Sequence, residues 1–128
     1  MTISIHIEPE SGMAIATWSG VLGLSDARDG ASALWNAPGW LGQSAVWDFR
    51  EATFSLSTAD IREVAAFITG HQPKTPPARI AFVTTRDVDF GLSRMFEAHR
   101  TDPRTEFQVF RDYEKALNWA RSVGPEDA

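Results

Sequence analysis

The chain has 128 residues, 43% of them hydrophobic and 23% charged, with a formal net charge of −5 and no cysteine. This length fits one domain with a real core, and an acidic chain with a pI near 5.1 and no basic stripe excludes nucleic acid as the main partner, since phosphate binding needs clustered Lys and Arg. Without cysteine there is no disulfide or thiolate chemistry. No apolar run approaches the roughly 20 residues of a membrane span, and no charged segment followed by an apolar one opens the sequence, so a cytoplasmic protein is expected.

Ile3, Ile5 and Ile7 alternate with Ser4, His6 and Glu8, the period of a half-buried strand. His6 then points away from the isoleucines as a surface imidazole. A turn over Pro9–Gly12 leads to a second strand, Met13–Trp18, as hairpin partner. Gly20 and Gly23 loosen the chain before a first helix, for which Ser25 is the expected cap and Asp26 an acidic first-turn residue. Ala27, Ala31, Leu34 and Trp35 form its apolar face, and Asn36, Pro38 and Gly39 stop it. Trp40 and Leu41 fall in the connection and either plug the edge of the core or form a contact patch.

Ala45, Val46, Trp47 and Phe49 make a third strand ending near Asp48, and Arg50–Ser55 reads as a loop. Ser57 caps the next helix, Asp60 completes a variant of the capping box, and Leu56 staples to Ile61. Ile61, Val64, Ala65 and Ile68 face inward, with Gly70 at the left-handed position beyond the helix end. The segment HQPKTPP, residues 71–77, reads as a stiff loop.

Ile80–Val83 is a short continuous apolar run, the pattern of a strand buried on both faces. Asp87 is the expected cap of the helix that follows, and Val88, Leu92, Met95, Phe96 and His99 form its apolar face. Arg94 and Glu97 pair on another face. Gly91, inside this helix, marks either close packing on the strand or room for a ligand. Residues 101–105 turn the chain, Phe107 and Val109 alternate with Glu106 and Gln108 in a last strand, and Asp112 caps a last helix with Ala116, Leu117 and Ala120 inward. The domain is expected to cover 1–123, with 124–128 a frayed tail.

The order β-β-α-β-α-β-α-β-α predicts an α/β domain: a mixed, mostly parallel sheet of about five strands with about four helices mainly on one face. The other face is left partly open or covered by a second copy. Five Trp and eight Phe exceed what four helices clearly need, which points to a homodimer, unless Trp18, Trp40 and Trp47 fold over the open face within one chain.

The sequence carries no strong catalytic signature. His6, His71 and His99 lie on different elements at no metal spacing. There is no nucleophile elbow, Walker loop or dinucleotide fingerprint, and Asp87 with Asp89 suits helix-start electrostatics better than acid–base work. No cofactor is implied. Ligands of open α/β sheets gather beyond the carboxyl ends of the strands, where Asp48, Arg50, Thr84, Thr85, Arg86 and Asp87 are expected to converge beside Gly91.

Two stretches together, RIAFVTTRDVDFGLSRMFEAHR and FQVFRDYEKALNWA, resemble the SpoIIAA-like family, which has the fold of STAS domains. The resemblance rests on the strand Ile80–Val83, on Phe90, Gly91, Leu92, Arg94, Met95, Phe96 and Glu97, and on Val109, Phe110, Arg111, Asp112, Ala116, Leu117 and Trp119. It implies a small bacterial STAS-like domain, some relatives of which are likened to SEC14 lipid-binding domains. STAS anti-sigma-factor antagonists carry an Asp-Ser-Ser-Gly type motif with a phosphorylatable serine. Ser57 matches that serine and Thr58 its neighbour, while Leu56 and Ala59 replace the Asp and Gly, which speaks against recognition by a partner kinase. Ser57 is therefore a candidate phosphorylation site or a helix cap. The expected function is a non-enzymatic interaction or regulatory module, acting on a protein partner or on itself. The alternatives are a carrier or sensor of a small apolar or lipid-like ligand and, after it, an enzyme with a nonstandard site.

Overall fold

The computed structural model describes residues 1–40, 42, 44–71, 77–99 and 104–122; the expectations for Leu41, most of the 71–77 loop, the turn at 101–103 and the tail lie outside these. The elements are β1 (Thr2–Ile7), β2 (Ala14–Leu22), α1 (Leu24–Trp35), β3 (Ser44–Phe54), α2 (Thr58–His71), β4 (Arg79–Val83), α3 (Asp87–His99), β5 (Glu106–Phe110) and α4 (Tyr113–Arg121). The five strands form one sheet in the order β1-β2-β3-β4-β5. β1 runs antiparallel to β2, and every other pair is parallel.

Strand alternation divides the sheet into two unlike faces. On one, Ala16, Trp18, Trp47, Phe49, Phe82 and Phe107 meet Ala31 and Leu34 of α1, Ile61, Val64, Ala65 and Ile68 of α2, and Phe96 of α3. On the other, Met13, Val46, Ala81 and Val83 meet Ala116, Leu117 and Ala120 of α4. Three helices thus cover one face and one the other, as expected of helices crowding mainly one side. The small residues of the second face let α4 pack close.

The aromatic face is continuous. Trp47 stacks on Trp18 at 5.6 Å and on Phe82 at 5.0 Å, Phe82 stacks on Phe96 at 5.2 Å, and Phe82 meets Phe107 edge-on at 4.7 Å. Trp35 stacks on Trp40 at 5.7 Å, and the Trp40 indole donates to the Ser44 carbonyl at 3.2 Å. Trp40 therefore closes α1 onto the start of β3, the first of its two expected roles. Trp18 and Trp47 lie under the three helices, not over an open face.

Several boundaries and faces differ from expectation. β3 does not end at Phe49; Ala52, Thr53 and Phe54 continue it against Gly20, Val21 and Leu22. A register shift between Thr17 and Ser19 and a φ of +90° at Gly20, a value glycine adopts without steric cost, carry β2 past its predicted end. α1 is capped at Gly23, whose N–H donates to the Asp26 carboxylate at 2.9 Å, because Ser25 already lies inside the helix. Gly70 sits within α2 and not beyond it. Asp87 is the first residue of α3, and its carboxylate pairs with Arg111.

α3 keeps Leu92, Met95 and Phe96 of its expected face on the core but is rotated toward Asp89 and Ser93. Asp89, Ser93 and Phe96 are buried, while Val88 is 62% exposed and His99 is exposed. The physical reason is the end of β3: the Phe54 N–H points at this helix and takes the Asp89 carboxylate as its acceptor at 3.4 Å. Ser57 and Asp112 cap as expected, with the Asp112 carboxylate accepting the Lys115 N–H at 3.0 Å. Arg94 and Glu97 pair at 3.0 Å.

Close packing falls on Gly30, not on Gly91. A Cβ on Gly30 would collide with the Trp18 ring, whereas one on Gly91 meets nothing within 4 Å. Trp18 is 1% exposed and held by Trp47 and by Phe49 at 5.2 Å, so it has nowhere to move. Gly30→Ala should therefore destabilise the protein by about 1–3 kcal/mol, the usual cost of overpacking, despite its better helix propensity. Gly91→Ala should stabilise by about 0.5–1 kcal/mol, as for glycine replaced by alanine in an exposed helix. Urea unfolding of the two variants beside the parent protein measures both signs.

Candidate functional site

The carboxyl ends of β3, β4 and β5 and the first turns of α3 and α4 lie at one end of the sheet. Asp48 is side by side with Val83 in the β3–β4 register and is 3% exposed. Its buried carboxylate takes three hydrogen bonds from Arg50: the backbone N–H at 3.1 Å to Oδ1, Nε at 2.9 Å to Oδ1 and Nη2 at 2.9 Å to Oδ2. This two-pronged fit matches the guanidinium fork to the carboxylate and satisfies a charge that burial alone would make costly.

The Arg50 guanidinium also lies over the Tyr113 ring at 3.9 Å, a cation–π contact supplied by the first residue of α4. The hydrogen bond to Asp48 is the main cause that raises the Arg50 pKa above its ordinary value. Burial first, and then the Asp48 charge, raise the Tyr113 phenol, which stays protonated. With 43% of its side chain exposed, Arg50 is a rigidly held cation that faces water.

A second cluster forms where β5 passes α3. Arg111 Nη1 lies 2.8 Å from Asp87 Oδ1, and its guanidinium sits 4.3 Å over the Phe90 ring. Arg86 is exposed beside it and has no ion-pair partner among the described residues. No hydrogen bond, ion pair or ring contact joins the Arg50 and Arg111 clusters among the described residues. Thr85 is exposed, whereas Thr84 is fully buried, its N–H donating to the Phe110 carbonyl at 3.0 Å. Gly91 is exposed on the outer side of α3. Sequence reasoning thus placed Asp48 and Arg50 in contact-rich positions but missed Arg111, Tyr113 and Phe90. Arg111 and Tyr113 flank the Asp112 cap at the end of β5, and nothing in that local pattern points to Asp87 or Arg50.

Ser57 lies at the start of α2. Its Oγ accepts the Asp60 N–H at 3.1 Å, and its own N–H donates to Asp60 Oδ2 at 2.9 Å, the reciprocal pair of a capping box. The exposed hydroxyl that the family resemblance marks for phosphorylation is engaged in this cap.

Between the sheet and the three helices is an apolar cavity of about 30 Å³, lined among others by Trp18, Trp47, Leu56, Leu92, Ser93 and Phe96. It is room for a water-sized molecule. Among the described residues no group of three or more His, Asp or Glu could hold a metal ion, and no helix is long and apolar enough to cross a membrane.

The fold is SpoIIAA-like, the STAS architecture. An uncharacterized protein of the DUF3478 family with a SpoIIAA-like fold, from Shewanella loihica PV-4, superposes with a TM-score of 0.58 at 19% identity, over 93% of this chain and 92% of that one. The anti-sigma factor antagonist SpoIIAA in its unphosphorylated form superposes with a TM-score of 0.52 at 9% identity, over 95% of this chain and 100% of that one. No family model fits the sequence, and no curated protein matches it.

Removing the Ser57 hydroxyl breaks one arm of the capping box. Ser57→Ala should lower stability by about 0.5–2 kcal/mol, the usual loss for a helix cap, and Ser57→Gly by only a few tenths. Thermal or urea unfolding reads the difference.

Proposed function

We propose that the protein is a non-enzymatic interaction module of the STAS type, and that its partner-binding surface is the guanidinium rim formed by Arg50, Arg86 and Arg111 with Thr85 and Asp87. The observation that carries this reading is Arg50. It is locked by a buried carboxylate, stacked on Tyr113 and still 43% exposed. A cation fixed in this way gives up little side-chain entropy on binding, which is what a preorganised contact requires. Arg50, Arg86 and Arg111 together favour an acidic segment of a protein partner, since planar guanidinium forks pair well with carboxylates.

Carriage of a lipid-like ligand is the weaker reading. Ligand pockets usually measure about 300–1,000 Å³; the apolar cavity here is about 30 Å³, and the larger depression of about 580 Å³ is lined by Glu8, Glu10, Ser11 and Arg121 and does not suit an apolar ligand.

The test is a charge reversal confined to exposed positions. Arg86→Glu with Arg111→Glu removes two rim cations; among the described residues it gives up the exposed pair with Asp87, worth roughly 0–1 kcal/mol, and the Arg111 contact with the Phe90 ring, worth roughly 0.5–1 kcal/mol at an exposed site, so the fold should hold. Arg62→Glu on the exposed face of α2 serves as control. The double variant should lose a protein retained by both the parent and the control, and calorimetry with that protein purified should read affinity weakened roughly tenfold or more. Equal retention by all three would overturn the reading.

A further inference from the structure

The outer edge of β1 is the least protected part of the sheet. β1 is a terminal strand, and a terminal strand offers a row of unpaired backbone N–H and C=O groups. Proteins usually blunt such edges with Lys, proline, a bulge or a covering helix. Residues 2–7 read TISIHI and contain no Lys, Arg, Asp, Glu or Pro, and their pairing with β2 is unbroken from Thr2 to Ile7. α1 packs over β2, and Ile3, Ile5 and Ile7 remain half-buried at the rim of the core. Met1 and Val21, two of the three large apolar side chains left exposed among the described residues, flank the start of this strand.

The opposite edge is guarded. β5 exposes Glu106, whose carboxylate lies 3.5 Å from Arg79, together with Gln108. Pairing of β1 with β5 of another copy, which would propagate into a filament, would bring that charge into the row of Ser4 and His6, since the isoleucines share the face of Phe107 and Val109. The charge nearest the free edge at the end of β1 is Glu8, and it is already neutralised: Arg121 holds it with Nη2 at 2.7 Å and Nε at 2.9 Å, and Ser11 donates at 2.7 Å.

We propose that β1 is a self-association surface, on which a second copy of this chain pairs antiparallel about a two-fold axis at Ile5. The strand is a palindrome in character. Directly opposed residues of an antiparallel pair share a face, so this register sets Ile5 against Ile5 of the second copy and Ile3 against Ile7 of the second copy. Ser4 falls against His6 of the second copy on the other face. All three isoleucines then meet isoleucines on the aromatic side, no like charges face each other, and the two sheets become one of ten strands. A two-fold contact of this kind closes after one copy. The surface is separate from the guanidinium rim and names one partner of the module proposed above, the chain itself.

Sedimentation of the full chain from micromolar to near-millimolar concentration tests this, with circular dichroism confirming the fold of each variant. The parent should approach twice its 14.2 kDa mass. Ser4→Lys with His6→Lys places two like-charged pairs across the axis and should weaken association roughly tenfold or more. Ser4→Lys with His6→Glu sets each new ammonium opposite a carboxylate of the second copy and should restore it. A parent of one-chain mass throughout, or a dimer indifferent to both double variants, would overturn the proposal. The rim variant Arg86→Glu with Arg111→Glu should sediment as the parent does, so loss of partner binding and loss of self-association are read separately.

Discussion

Trp47 is the residue about which the fold is arranged. It stands near the middle of the central strand, with Trp18 stacked on one side and Phe82 on the other and Trp35 edge-on at 6.3 Å. Large rings of this kind dominate burial and add about 0.5–1.5 kcal/mol per favourable pair beyond their area. Their rigidity transmits constraint outward. Trp18 cannot leave its place between Trp47 and Phe49, so α1 must present Gly30 to it, and the crossing of α1 over β2 is fixed by a missing side chain. Trp35 and Trp40 continue the same layer to the loop before β3. The aromatic content that suggests self-association in the sequence is thus absorbed within the chain, largely on the three-helix face, and only the free edge of β1 favours a second copy.

The opposite face works by smallness. Val46, Ala81 and Val83 meet Ala116 and Ala120, which brings α4 close to β3 and β4. That approach puts Tyr113, at the start of α4, beneath the Arg50 guanidinium. The rim therefore depends on both packing regimes: the aromatic layer holds β3 and β4 in register, and the small residues bring up α4. One helix spanning three strands cannot also cover β1, and Ser4 and His6 are left exposed there.

The candidate rim was partly legible. Asp48 and Arg50 are expected near one strand end, with Arg50 in a loop; their side chains point the same way and pair because β3 continues through Arg50. Arg86 and Asp87 follow a strand end, where α/β proteins place their contacts. Arg111 and Tyr113 were not legible, because their nearest functional neighbours, Asp87 and Arg50, are far away in sequence. Asp89 and Ser93 were hidden for a different reason. Buried polar residues on a helix break the apolar stripe from which a face is read, and here the acceptor role of Asp89 toward the Phe54 N–H outweighs hydrophobic patterning.

What the sequence determined by itself was whatever depends on short-range interactions. The order of the elements, the inward faces of α1, α2 and α4, the alternation of β1 and β5, and the caps at Ser57 and Asp112 follow from periodicity and from hydrogen bonds that span a few residues. Tertiary structure alone decided what depends on distant partners. The extension of β3 to Phe54 exists because Gly20, Val21 and Leu22 lie alongside to pair with it. The rotation of α3 exists because an unpaired N–H at the end of β3 needs an acceptor. The contrast between Gly30 and Gly91 exists because one faces a fixed indole and the other faces water. In each case the local sequence allows more than one arrangement, and the group that selects among them comes from another strand or helix.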